Sequence, residues 1–177
     1  MLWMSKIIDR ADKDEDMEFV RACQRGDADA FETLVERHQK KMLNIAFRMM
    51  GDYHEACDVT QEAFIAAYKS MKQFKAESRF STWLYRIVVN HSRNRLKQLS
   101  NMAKRENVSM DETGEMNAAG ALCQSSADDT NPGARMEQRE REAQVQKCIT
   151  SLDEEYREVL VLRDIQGFSY EEIRDIL

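Results

Sequence analysis

A single proline, Pro132, interrupts 177 residues, and only six glycines accompany it. These two residue types punctuate the turns between short strands, so their scarcity leaves little material for hairpins. No stretch alternates Val, Ile and Thr with the period of two that a half-buried strand requires. Leu, Met, Ala, Glu, Arg and Lys dominate instead, as helices prefer. The fold class these features predict is all-α. With 42% hydrophobic and 33% charged residues, the chain suits one or two small packed domains beneath an extensive polar surface. No apolar run approaches the roughly 20 residues of a membrane span, and the N-terminus "MLWMSKIIDRADKDED" turns acidic too early for a signal peptide. A cytoplasmic protein without membrane insertion is expected.

Periodicity and punctuation then divide the chain. Met17 to Arg25 reads as a short helix. Asp27 is placed to cap a longer one, in which Phe31, Leu34, Val35, Met42, Ile45, Ala46 and Met49 recur at helical spacing until Gly51 ends it. A further helix is predicted from Tyr53 to Phe74, with Ala56, Val59, Ala63, Phe64, Ala67 and Met71 turned inward. After the loop "KAES", Ser81 is expected to cap the next helix. These elements make a compact first domain, assigned to residues 1–100.

Residues 101–134 are rich in Ser, Asn, Asp, Gly and Ala without helical periodicity, and read as a flexible linker. Residues 135–177 form a second helical segment. Within it, Ser151 and Glu154 have the spacing of a capping box ahead of Tyr156, Val159, Leu160 and Leu162. Gly167 is a stop, and Ser169 with Glu172 repeats the capping pattern before Ile173, Ile176 and Leu177. So short a segment buries too little for a comfortable core. Its apolar stripes are therefore expected to dock on the first domain, to self-associate, or to be captured by a partner.

Catalytic chemistry finds no foothold. Cys23, Cys57, Cys123 and Cys148 are scattered without a CxxC pair, which reads as reduced packing thiols. His54 and Cys57 share a helical face at ligand spacing, but two ligands without a second pair make a poor zinc site. No glycine-rich phosphate loop and no nucleophile with a neighbouring base is present, so the protein is read as a non-enzyme without cofactor or metal.

Charge is the informative asymmetry. Between Lys75 and Arg105 eight basic residues face one acid, inside a chain whose formal net charge is -6. A basic block in an acidic whole is a patch suited to phosphate. On the helix "FSTWLYRIVVNHSRNRLK", Trp83, Arg86, Asn90, Arg93, Asn94 and Lys97 align at three- and four-residue steps. Tyr85, Val89, Ser92, Leu96 and Leu99 form the opposing stripe. Arginine and lysine supply phosphate contacts, asparagine pairs with base edges, and an aromatic at the helix start can stack on an unpaired base. Single-stranded or melting DNA is favoured over a merely solvated basic face.

Three stretches, "DVTQEAFIAAYKSMKQF", "FSTWLYRIVVNHSRNRLK" and "LDEEYREVLVLRDIQGFSYEEIRDIL", together resemble the characteristic segments of bacterial extracytoplasmic-function sigma factors, in the family's order. The resemblance covers roughly residues 20–100 and 136–177. It implies a stress-response transcription factor of two helical domains, sigma region 2 and sigma region 4. The first binds core RNA polymerase and opens the promoter's minus-ten element; the second reads the minus-thirty-five element through a helix-turn-helix. Carried over by position, Asp58, Gln61, Glu62 and Phe64 match the polymerase-binding segment. Phe80, Trp83 and Tyr85 match the aromatic melting segment. Asn90, Arg93, Asn94 and Lys97, with Arg86 beside them, match the face that approaches the minus-ten strand. The loop from Lys75 to Arg79 corresponds to one that holds a flipped base, whose extrusion costs a few kcal/mol. The family also implies an anti-sigma factor as a regulating partner.

The match departs at the C-terminus. "FSYEEIRDIL" fits the first helix of the helix-turn-helix, and the recognition helix that should follow is absent from the sequence. Loss of normal minus-thirty-five recognition is the expectation that follows. Two other readings compete with the sigma reading. A helical interaction adaptor would treat the basic helix as plain surface. A helix-turn-helix repressor would read DNA from Ser169 onward, against which the acidic "YEEIRD" face argues.

Overall fold

A computed structural model describes residues 16–106 and 132–177. Among these the fold is all-α, with no strand. The N-terminal stretch, Cys123 and most of the predicted linker lie outside the described residues. Helix α1 covers 16–24, α2 runs Ala28–Met50, α3 Tyr53–Ser70 and α4 Phe80–Glu106. They are followed by α5 Pro132–Thr150, α6 Glu154–Leu160 continuing into a π-helical turn Val161–Ile165, and α7 Tyr170–Ile176.

Local chemistry sets most of these boundaries. Asp27 Oδ1 accepts from the Asp29 and Ala30 amides at 3.0 and 3.3 Å, satisfying donors that the first turn of α2 leaves open. Gly51 closes the helix at φ 77°, its N–H donating to the Phe47 carbonyl at 2.8 Å. Asp52 immediately caps α3 through the Glu55 amide. The predicted Tyr53–Phe74 helix ends earlier, at Ser70, and tightens into a 3-10 turn, Met71–Gln73. Ser81 is not a cap: α4 already begins at Phe80, with the Trp83 amide bonded to the Arg79 carbonyl. At its other end α4 continues to Glu106, beyond the predicted limit of the first domain.

Helices α2, α3 and α4 pack on one another around Leu34, Met42, Ile45, Met49, Val59, Leu84 and Val88. Burying each of these large side chains contributes about 1.5–3 kcal/mol. Ala56, Ala63 and Ala67 line the inner side of α3, and such small side chains let the neighbouring helices approach closely. Helix α1 is tied on by polar contacts. His38 Nε2 lies 2.8 Å from Asp16 Oδ2, and the Gln24 amide donates to the Met71 and Phe74 carbonyls.

The C-terminal segment docks on this unit, the first of the outcomes that its short apolar stripes allow. Helix α5 and the π-helical turn pack against α2, and α7 packs against α4. Pro132 starts α5 where a missing N–H is no loss. The expected Ser151 capping box does not form. Ser151 Oγ donates instead to the Cys148 carbonyl, and Asp153 stands at the N-cap of α6 without a side-chain bond. The Ser169 and Glu172 box does form, with both reciprocal bonds. Gly167 turns the chain at φ 75° between α6 and α7.

Candidate nucleic-acid and partner-protein interfaces

Two surfaces stand out, on different helices of the first unit. On α3, Asp58, Gln61 and Glu62 are exposed along one side, and Glu62 lies 3.5 Å from His91 of α4. Phe64, grouped with them by sequence, is buried, its ring meeting Phe31 edge-on at 6.4 Å. The ridge extends further than the sequence reading had it. Ile65 and Tyr68, 47% and 51% exposed, continue the same line, adding an apolar end to an acidic start. Their three- and four-residue steps from Asp58 were the available signal.

On α4, Arg86, Asn90, Asn94 and Lys97 are exposed in a row, while Tyr85, Val88, Val89 and Ser92 are buried beneath them. Ser92 Oγ returns its proton to the Val88 carbonyl at 2.9 Å, so its burial leaves no orphan donor. Trp83 is half-buried at the start of the row and rests on Phe74 at 4.9 Å and Phe80 at 5.8 Å. Phe80 itself is only 1% exposed, packed also on the His38 ring, so it backs Trp83 and does not meet solvent. The family resemblance grouped Phe80, Trp83 and Tyr85 as one aromatic segment; the helix turns Phe80 and Tyr85 inward and leaves Trp83 half-exposed.

The loop between the 3-10 turn and α4 presents Lys75 exposed and Arg79 half-buried. Ala76 within it has φ 58°, a left-handed conformation that an L side chain rarely takes. The preceding carbonyls of Met71 and Phe74 are the ones held by Gln24 of α1, so the loop springs from an anchored base.

Arg93 differs from its neighbours. It is half-buried, and its Nε and Nη2 donate to Oε1 and Oε2 of Glu158 on α6. That carboxylate, first among the causes, pushes the Arg93 guanidinium still higher above its ordinary value. Close by, Tyr85 meets Phe168 edge-on at 4.7 Å, and burial pushes its phenol up to about 12. Glu158 and Phe168 were not among the residues that the sequence pointed to. They sit 65 and 83 positions from their partners, beyond any local pattern.

An acidic and apolar ridge on one helix and a basic, asparagine-bearing face on the next are two chemically distinct surfaces, of the kinds that suit a protein partner and a nucleic acid. Comparison with known proteins gives them their place. Residues 34–101 match the model of sigma-70 region 2, and residues 142–176 that of sigma-70 region 4. The RNA polymerase sigma-H factor of Pseudomonas aeruginosa is 36% identical over 165 residues, which are 93% of this chain and 83% of that protein. The ECF RNA polymerase sigma-E factor of Escherichia coli K12 is 37% identical over 162 residues, 92% and 82% of the two chains. Among solved structures, the sigma factor RpoE in complex with the anti-sigma factor NepR from Bartonella quintana has the same fold. Its TM-score is 0.61 over 82% of this chain and 81% of that one, at 18% identity.

The chain belongs to the extracytoplasmic-function sigma factors of the sigma-70 family. It is a transcription initiation factor that directs RNA polymerase to promoters, and not an enzyme. The repressor and adaptor readings are thereby set aside. Among the described residues no helix is long and apolar enough to cross a membrane.

Proposed function

We propose that the α3 ridge of Asp58, Gln61 and Glu62 docks core RNA polymerase, with Phe64 holding that helix in register from below. In the same reading α4 and the loop before it trap the unpaired minus-ten strand. The observation that carries it is the exposed row Arg86, Asn90, Asn94 and Lys97 leading from the half-exposed Trp83. Cations on that row meet phosphates, the two asparagines offer paired donors and acceptors to base edges, and the indole stacks. Phe80 stabilises the indole from behind. Lys75 and Arg79 flank the loop, turned by the left-handed Ala76, that would receive an extruded base.

The domain division read from the sequence, 1–100, 101–134 and 135–177, is kept in this proposal with its edges moved to the helix ends: strand binding and polymerase docking in the unit that closes with α4 at Glu106, and the helix-turn-helix portion in the segment that opens with α5 at Pro132. The working compartment is the cytoplasm, where polymerase and promoter are. An anti-sigma factor is the regulating partner, as in the Bartonella quintana complex, and covering the α3 ridge would be its simplest action.

The test is co-elution with bacterial core RNA polymerase on a sizing column, paired with promoter opening followed by a fluorescent base in the minus-ten element. Charge reversal of Asp58 and Glu62 to Lys should abolish co-elution while leaving the helical circular dichroism intact. Asn90→Ala with Lys97→Ala should leave co-elution intact and weaken opening. Equal loss of both activities in every variant would overturn the assignment of two separate surfaces.

A further inference from the structure

Gln24, the last residue of α1, lies far in sequence from the loop before α4 and yet holds its root. Its side-chain nitrogen donates to the Met71 carbonyl at 3.1 Å and to the Phe74 carbonyl at 2.9 Å, across 47 and 50 positions. A carboxamide nitrogen carries two hydrogens, so both bonds form at once. The two carbonyls stand at the ends of one tight turn, because the Phe74 amide already donates to the Met71 carbonyl at 3.1 Å. Lys75 follows directly, and Ala76 at φ 58° then swings the chain round. Both ends of the turn from which the loop departs are thereby fixed to α1.

Burial is not what Gln24 supplies. Val20 and Cys23 of the same helix are buried and attach it to the core, whereas Gln24 is half-buried. Water could satisfy the two carbonyls equally well, but it could not tie them to another helix. Hydrogen bonds are directional, so what this side chain adds is position. Phe74 is the residue most constrained, since its ring rests on Trp83 at 4.9 Å and meets Phe80 edge-on at 6.2 Å. It is held by α1 through its carbonyl and by α4 through its ring. The other end of α1 supports the same aromatic group: Asp16 Oδ2 lies 2.8 Å from His38 Nε2, and the His38 ring meets Phe80 edge-on at 5.5 Å.

We propose that Gln24 is a positioning residue for base selection: without touching DNA, it holds the Met71 and Phe74 carbonyls and so fixes the loop from Lys75 to Arg79 in the shape that tells one extruded base from another. The proposal rests on the reading of that loop as the receiver of the base. A base out of the stack is read by hydrogen bonds to its edge, which need donors and acceptors placed within about 0.5 Å. A loop free at its root would still meet the strand but would accept any base. The cations and asparagines of α4 ride on a helix that these two bonds do not reach, so the grip on phosphates stays. Loss of Gln24 therefore separates affinity from discrimination.

The test uses holoenzyme assembled from the full chain and bacterial core RNA polymerase. It is presented with a pool of randomised single-stranded DNA, about a dozen nucleotides long, and the bound fraction is sequenced. A variant with residues 75–78 all replaced by glycine identifies the position that the loop reads, as the one whose base preference disappears. Gln24→Met keeps the length of the side chain and removes both donors. It should lower the preference at that same position about tenfold, with the other positions, polymerase co-elution and the urea midpoint unchanged. Gln24→Lys, whose ammonium donates again, should restore most of the preference. Full preference in Gln24→Met at a position that the glycine loop erases would overturn the proposal and leave the loop reading standing. Equal weakening at every position with a lowered urea midpoint would also overturn it, Gln24 then serving only to attach α1. If the glycine loop alters no position, the reading of the loop falls and the proposal falls with it.

Discussion

The two parts of the molecule are held together by different physics. Twenty of the buried apolar residues among those described lie between Val20 and Val89, and five, Ile149, Val161, Leu162, Ile173 and Ile176, lie in the C-terminal segment. The first unit therefore folds on its own apolar core, with polar contacts added at caps, at the attachment of α1 and between α3 and α4, where Arg95 pairs with Glu55 and His91 lies beside Glu62. The second borrows a core from its neighbour and is fastened at the edges by Gln146, Arg157 and Glu158. Apolar burial needs no particular partner. A charge pair or a bond to a carbonyl needs its counterpart in place, so the second part depends on the first far more than the first depends on it.

The strongest way to press that contrast is to damage the core of the self-supporting part. Leu34→Ala removes a fully buried side chain from α2 and should cost about 2–5 kcal/mol through lost transfer and a residual cavity. Urea unfolding followed by circular dichroism should show this loss in the main transition, and the C-terminal segment should be lost in the same step because its platform disappears. A separate, unshifted transition for residues 132–177 would show that the second part has independent stability after all.

Next in size is the fastening. Arg157→Ala leaves three helix-end carbonyls without their donor, each bond worth about 0.5–1.5 kcal/mol net, so undocking should ease by roughly 2–3 kcal/mol. The main transition should hardly move. Gly51 reports on the same contact from the other side. A Cβ there would stand 2.6 Å from Thr150 Cγ2, on a backbone at φ 77°. Gly51→Ala should therefore loosen both the end of α2 and the docking of α5.

Titration of Tyr85 sharpens the comparison at the seam. Its phenol is raised to about 12 in the folded chain by burial, against an ordinary value of about 10. The folded state favours the neutral form, so the contribution is fully present below about pH 10 and is lost as pH rises toward 12, roughly 1 kcal/mol by pH 11. Ultraviolet titration should show one late phenol in the parent chain. Phe168→Ala should bring it down toward the ordinary range, and Tyr85→Phe should remove that part of the alkaline destabilisation.

Legibility in the sequence followed the same division. Helices α2 to α4 could be read because caps and glycine stops are local and apolar spacing reports a core that the unit makes for itself. Ser81 and Ser151 misled because helix starts there are set from outside the local sequence. Burial of Phe80 draws α4 one residue upstream, and Arg157 holds the Thr150 and Leu152 carbonyls on the way into α6. The exposed row on α4 was visible as a spacing. That Arg93 leaves it for Glu158 was not, since one basic residue among many and one acid among many carry no mark of pairing across 65 positions. Self-contained structure is written locally; a docked interface is written in pairs.

The smallest effect belongs to the loop that precedes α4. Ala76 at φ 58° pays a steric penalty of about 1 kcal/mol or somewhat more that glycine would not, whereas glycine loses more conformational freedom on folding. The two terms nearly offset, so Ala76→Gly should change the stability of the first unit by less than about 1 kcal/mol, in the stabilising direction. Its consequence for function should run the other way. A loop held in an uncommon conformation from an anchored base is ordered before any strand arrives, and glycine would let it wander. Promoter opening should weaken modestly while polymerase co-elution and hydrogen exchange over 154–176 stay unchanged. Unaltered opening would mean that the conformation of Ala76 is only a connection between the 3-10 turn and α4, and that the α4 row alone carries the strand.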